Sequence, residues 1–278
     1  MYKVSLNSCW AKVNRAKQHR DALEAYIGET FSIKANLPTL GAKFDTESRE
    51  HIVYINHVPD LGPFLDNVAL FIGDVVHNLR CALDHLAFQL ARGESLAPKQ
   101  QRKVQFPIFD KEEDFHRKCY LGDIAPEHRK IIEELQPYHG LAGRPDSWSG
   151  SYIHQLALLR DLDNMDKHRM LTPILAVPWS SQFFSLTDSL RTIINQGLNQ
   201  HVESLMSGRT PHLGSDRLEV GSVVLRAAIP RRILEQEVNM AGYVTPMIHL
   251  PDGRPLIPTL DRLAAFVVYI LHEFEPLF

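Results

Sequence analysis

The sequence predicts an α+β fold, a helical core of about four main helices packed beside a small, mostly antiparallel sheet. Three observations carry this expectation. Residues 63–92 place Val68, Ile72, Val75, Leu79, Leu83 and Leu86 on one broad helical face, with polar residues opposite. Residues 151–171 are apolar around most of a helical circumference, as in a buried helix. Two regions, 31–58 and 218–250, hold short segments rich in Ile, Val and Tyr, bounded by turn residues, which favours strands.

Taken in order, residues 5–30 read as an amphipathic helix. Ser5 or Asn7 could cap it, and Trp10, Val13, Leu23, Tyr26 and Ile27 supply its apolar positions. Extended segments are expected at 31–37 and 51–58, joined as a hairpin by a long loop containing Gly41 and the polar run 45–50. The helix at 63–92 starts on Pro63, which suits a first turn, and leaves at Gly93. Residues 94–107 read as loop. Short helices follow at 112–119 and 126–135, and the Gly- and Pro-rich stretch 140–150 is the best linker candidate. After the helix at 151–171, strands are expected at 218–229 and 238–250, then a turn at Pro251-Asp252-Gly253 and a final helix at 258–274. Both chain ends and the middle contribute to both layers. The expected organisation is therefore one integrated domain over 1–278, with a weak division near 140–150.

Composition narrows the class. At 278 residues, 44% hydrophobic and 23% charged, the chain is expected to be globular rather than disordered. A formal net charge of -3 gives no basic surplus of the kind that holds nucleic acid by phosphate neutralisation. Local clusters exist at Lys12, Arg15, Lys17 and Arg20, and at Lys99, Arg102 and Lys103. Cys9, Cys81 and Cys119 are scattered, which argues against a disulfide framework or a thiolate zinc site. The N-terminal stretch lacks a signal-peptide pattern, and the longest apolar run, 263–271, is about half a membrane span. A cytoplasmic protein without membrane contact is the expectation.

Two polar stripes are the candidates for chemistry. On the 151–171 helix, His154, Asp161, Asn164 and His168 fall within one arc of roughly 80°. On the 63–92 helix, His77 and Asp84 are nearly aligned, with Arg80 and His85 flanking them. If the stripes meet, imidazoles, carboxylates and a guanidinium share a pocket. Histidine beside carboxylate suits acid/base chemistry near neutral pH, or metal ligation. Solvated faces or a structural polar network would give the same pattern.

The segment His77-Asn78-Leu79-Arg80-Cys81-Ala82-Leu83-Asp84-His85 contains Arg-x4-His, from Arg80 to His85, within a helix. It resembles the signature of the HEPN superfamily, helical domains of prokaryotic toxins, defence proteins and RNA-guided nucleases. The resemblance implies a metal-independent ribonuclease centre, commonly completed across a homodimer, with RNA as partner. It implies that His85 assists proton transfer and that Arg80 stabilises charge on phosphate. The chain is also similar to bacterial proteins of unassigned function with a Gly-Asp-x-x-His-Asn-Leu-Arg helix, here 73–80, and a later Asp-Lys-His-Arg, here 166–169.

Three readings follow. The first is a HEPN-like ribonuclease using Arg80 and His85, with Asp84, Asn164 and His168 nearby and no cofactor. The second is a hydrolase holding zinc, iron or manganese with His77, Asp84, His85, His154 and His168. The third is a non-enzymatic interaction module whose stripes form an interface or a polar core.

Overall fold

The structure, a computed structural model, describes residues 5–92, 95–121, 124–140, 154–168, 170–176, 184–185, 218–227 and 242–277. The fold is α+β, and the chain forms two compact units. The first comprises Met1–Glu24, Asn67–Leu171 and Ile257–Phe278; the second comprises Ala25–Asp66 and Thr172–Leu256. The expected division near 140–150 falls on residues that, apart from Gly140, lie outside those described.

The first unit is helical. Its long elements are α1 (Asn7–Ser32), up to Glu24; α2 (Gly62–Leu90), from Asn67; α6 (Gln155–His168); and α7 (Leu256–Phe274), from Ile257. Three short helices lie between α2 and α6: α3 (Pro98–Gln101), α4 (Glu112–Lys118) and α5 (Pro126–Glu134). The first of these stands where the sequence suggested only loop, and Pro98 opens it because a first-turn proline loses no helical hydrogen bond.

The α1 face that turns inward is Cys9, Val13, Ala16 and Leu23, all fully buried. Arg20 takes the heptad position between Ala16 and Leu23. It makes a two-pronged bond to Asp261 of α7, with Nε to Oδ1 at 2.7 Å and Nη2 to Oδ2 at 2.9 Å. The apolar stripe of α2 is buried as the periodicity requires, with Val68, Ile72, Val76, Leu79, Leu83 and Leu86 at zero exposure. Leu263, Phe266, Val267, Ile270, Leu271 and Phe274 do the same for α7. His154, just before α6, accepts the Leu156 N–H on Nδ1 at 3.1 Å and meets the edge of the Phe266 ring. It therefore acts as a buried helix cap.

The second unit holds the sheets. Strands β1 (Thr39–Asp45) and β2 (Glu50–His57) form an antiparallel hairpin. The five-stranded sheet runs β4-β6-β1-β2-β5, with β4 at Phe184–Ser185, β5 at Val223–Ala227 and β6 at Gly242–Val244. A separate ribbon pairs β3 (Ile174–Ala176) with β7 (Met247–His249), and all of these pairings are antiparallel. The Tyr54 ring packs over Gly41, its register partner, where an added Cβ would stand 2.7 Å from Cζ. The turn at 251–253 forms as expected, with Gly253 at φ 85° donating its N–H to the Leu250 carbonyl.

Two expected strands are corrected. Residues 31–37 form no strand: α1 continues to Ser32, and Lys34–Asn36 make a 3-10 turn. The cause is burial of Phe31, one helical turn beyond Ile27. Phe31 and Tyr26 both pack on Phe64, at 5.1 and 5.4 Å between ring centres. The Asn36 side chain then donates to the Thr30 carbonyl at 2.9 Å and covers the helix end. The segment expected as one strand at 238–250 is two, β6 and β7, in different sheets. Pro246 sits between them, and a residue without an N–H interrupts a ladder. Residues 238–241 lie outside those described.

Candidate functional site

The polar face of α2 is built by spacing alone: His77, Arg80, Cys81 and Asp84 stand at i, i+3, i+4 and i+7. On α6 the same spacing aligns Arg160, Asp163, Asn164 and Lys167. These two faces meet. His77 Nδ1 lies 3.6 Å from Asp163 Oδ1, and the Asp163 side chain is 4% exposed. Lys167 Nζ holds the other Asp163 oxygen at 2.5 Å. Asp166 lies over Gly73, where an added Cβ would come within 2.8 Å of its Cγ. That glycine lets α2 and α6 approach at a polar seam. Burial, then the neighbouring Asp163, raises the Asp166 carboxyl above its ordinary range.

Beside the seam opens a cavity of about 300 Å³. Its wall takes Arg80 and Asp84 from α2, Lys103 and residues 105–109 from the following loop, Lys118–Tyr120 from the end of α4, and Arg160, Asp163, Asn164 and Lys167 from α6. Five cationic side chains thus face two carboxylates.

Arg80 is fixed on one side. Its Nη2 donates to the Phe106 carbonyl at 2.7 Å and lies 2.9 Å from Asp84 Oδ1, while Asp84 Oδ1 accepts the Phe106 N–H at 2.9 Å. The pair therefore grips both backbone groups of one residue. Arg80 Nη1 is buried with no hydrogen-bond partner. Burial raises the Asp84 carboxyl, against the lowering effect of Arg80 and the Phe106 N–H. At the other end of the same loop, Gln136 is fully buried. It accepts the Phe109 N–H and donates to the Pro107 and Ile132 carbonyls, each at 2.9 Å. The wall segment 106–109 is thus held at both ends.

The remaining cations differ in freedom. Arg160 pairs with Asp110 and Asp161, Lys118 with Asp114, and Lys167 with Asp163. Lys103 makes no ion pair among the described residues and stands 6.0 Å from the Tyr120 ring centre.

Of the residues expected to form a ribonuclease centre, Arg80, Asp84 and Asn164 line this cavity. His85 and His168 do not. Five residues along a helix is a rotation of about 140°, which carries the half-buried His85 away from the Arg80 face. His168 is the exposed last residue of α6. The imidazole that adjoins the cavity is His77, through Asp163.

The expected metal set of His77, Asp84, His85, His154 and His168 is not gathered. His154 and His168 stand at opposite ends of α6, about 21 Å apart at helical rise, and the Nδ1 lone pair of His154 already accepts the Leu156 N–H. Among the described residues, the only group with three potential ligand atoms close together is Glu112, His116 and Glu133.

Lys103, Arg160, Lys167, Tyr120 and Gln136 were not singled out as site residues from sequence. The i, i+3, i+4, i+7 row on α6 was a usable signal for Arg160 and Lys167; nothing local marks Gln136. No helix among the described residues is long and apolar enough to cross a membrane.

The fold and site thus define an α+β protein whose helical unit carries a cation-lined cavity. Comparison with protein-family models, with curated proteins and with solved structures returned no match.

Proposed function

We propose that this cavity binds a phosphate of RNA and that the chain is a metal-independent ribonuclease. One observation carries the reading: Arg80 is held by Asp84 and the Phe106 carbonyl with Nη1 unpartnered, in a wall that also carries Lys103. A guanidinium so fixed presents its charge to the cavity without first being ordered, and a phosphate oxygen would meet the buried Nη1 once the wall around it gives way. Lys103 and Lys167 add charge around the phosphate. His77, 56% exposed and backed by the buried Asp163, is the imidazole placed to move a proton at a ribose 2′-hydroxyl or leaving oxygen. In this reading His77 takes the role that the Arg-x4-His resemblance gives to His85. All these groups lie in one chain, so the homodimer implied by the resemblance is not required.

The test is cleavage of single-stranded RNA in chelator by wild type, Lys103→Ala, His77→Ala and His85→Ala. Loss of about 100-fold is expected for His77→Ala, with weaker binding for Lys103→Ala and little change for His85→Ala. Cleavage that needs added metal, or that survives both His77→Ala and Lys103→Ala, overturns the proposal.

A second reading is favoured by the same Arg80 bonds. Arg80 and Asp84 would be a structural clip for Phe106, and the stripes the polar core of an interaction module. Arg80 variants would then change stability with no turnover to lose.

A further inference from the structure

We propose that Glu112, His116 and Glu133 bind a divalent transition-metal ion that ties α4 to α5. His116 follows Glu112 by one helical turn on α4, and Glu133 comes from α5. His116 Nε2 lies 3.6 Å from Glu112 Oε1 and 3.4 Å from Glu133 Oε1. All three ligand atoms fall within 4.8 Å of one another. Bonds of about 2.1 Å arranged tetrahedrally have edges of about 3.4 Å, so two of the three edges already match a zinc site. One imidazole and two carboxylates are borderline donors that suit zinc, and manganese less tightly.

The elements that present these groups are anchored. Phe115, next to His116, is fully buried against Phe109 and Tyr138, and Ile132, next to Glu133, is fully buried. Tyr138, whose ring packs edge-on against Phe115 beside His116, has a buried hydroxyl without a hydrogen bond. The Arg129 guanidinium stands over the Phe115 ring, 5.6 Å from its centre. The site is apart from the phosphate cavity, yet α4 also delivers Lys118 to the cavity wall and is followed there by Cys119 and Tyr120. The ion would therefore steady one side of that wall without touching its ligand.

The competing arrangement is a protonated His116 held between two glutamates with no ion. Zinc titration by calorimetry on the chelator-treated full chain decides between them, using wild type, His116→Ala, Glu133→Gln and, as a control elsewhere, His272→Ala. The expected result is one more zinc equivalent on wild type and His272→Ala than on the two site variants, or an affinity weakened roughly tenfold or more in them. Zinc should also raise the melting temperature of wild type and not of Glu133→Gln, since an ion that binds only the folded chain stabilises it. Far-ultraviolet circular dichroism without zinc checks that the variants are folded. Equal stoichiometry and affinity across all four proteins, or no saturable binding to wild type, overturns the proposal.

Discussion

Asp166 Cγ lies 2.8 Å from the point where a Cβ on Gly73 would stand. The two residues are 93 positions apart in the sequence, and their contact is where α2 and α6 come together. Gly73 begins the run 73–80 on α2, and Asp166 begins the run 166–169 at the end of α6.

Gly73→Ala is expected to destabilise the protein by about 1–3 kcal/mol, because a methyl group must displace the Asp166 carboxylate. A glycine inside a helix ordinarily gains about 1 kcal/mol on the same change, so the sign is diagnostic. Urea denaturation of Gly73→Ala, alone and combined with Asp166→Ala, measures it. The double variant should recover most of the loss; a single variant more stable than wild type would show that the Asp166 carboxylate swings aside at little cost.

Arg80→Ala is expected to cost about 2–4 kcal/mol, since it leaves the partly buried Asp84 unpaired and the Phe106 carbonyl without its donor. A double-mutant cycle with Asp84→Ala should give a coupling above about 1 kcal/mol. Additive losses would mean that the pair does not act as one clip.

Gln136→Leu keeps roughly the volume of the amide but orphans three backbone groups at once. A loss of about 3 kcal/mol is expected, with a denaturant slope like that of wild type. An unchanged midpoint would remove Gln136 as the clamp on 107–109.

His249, buried with no partner on either ring nitrogen, has its pKa lowered by burial. A base with a depressed folded pKa gives stability that is present above its unfolded value near 6.5 and is lost as pH falls toward the folded value. His249→Leu should therefore stabilise the protein, by about 1–2 kcal/mol at pH 7.5 and by more at pH 5.5. Thermal melts at the two pH values test this. An equal gain at both would assign the effect to packing alone.

If the cavity holds RNA phosphate, Lys103→Ala should reduce the slope of log binding constant against log salt by about 0.7, the value for one single-strand contact. Fluorescence anisotropy with a labelled oligonucleotide, from 50 to about 200 mM salt, would read it. A parallel shift with unchanged slope would mean that Lys103 shapes the wall without meeting phosphate.

Much of the fold was legible in the sequence. The long helices, their buried stripes, the short helices at 112 and 126, and the turn at 251–253 follow from local periodicity and turn chemistry. Strand ends were harder. Phe31 was drawn into a helix by Phe64, 33 positions away, and no window around residue 31 contains that fact. The stripe on α6 was placed one strip off: His154, Asp161, Asn164 and His168 share an arc, but the cavity takes Arg160, Asp163, Asn164 and Lys167.

By itself, then, the sequence determined where the long helices lie, which of their faces are apolar, and that α2 and α6 carry polar rows. Those properties depend on neighbours within one or two turns. Only the tertiary structure decided that Asp163 meets His77, that Arg80 and Asp84 grip Phe106, that Gln136 closes the far end of the loop, and that His85 is left aside. Each of these joins residues more than twenty positions apart or turns on the direction of a side chain about its helix. The free energy that selects such pairings comes from burying the α2, α6 and α7 faces together, and it is absent from any single segment.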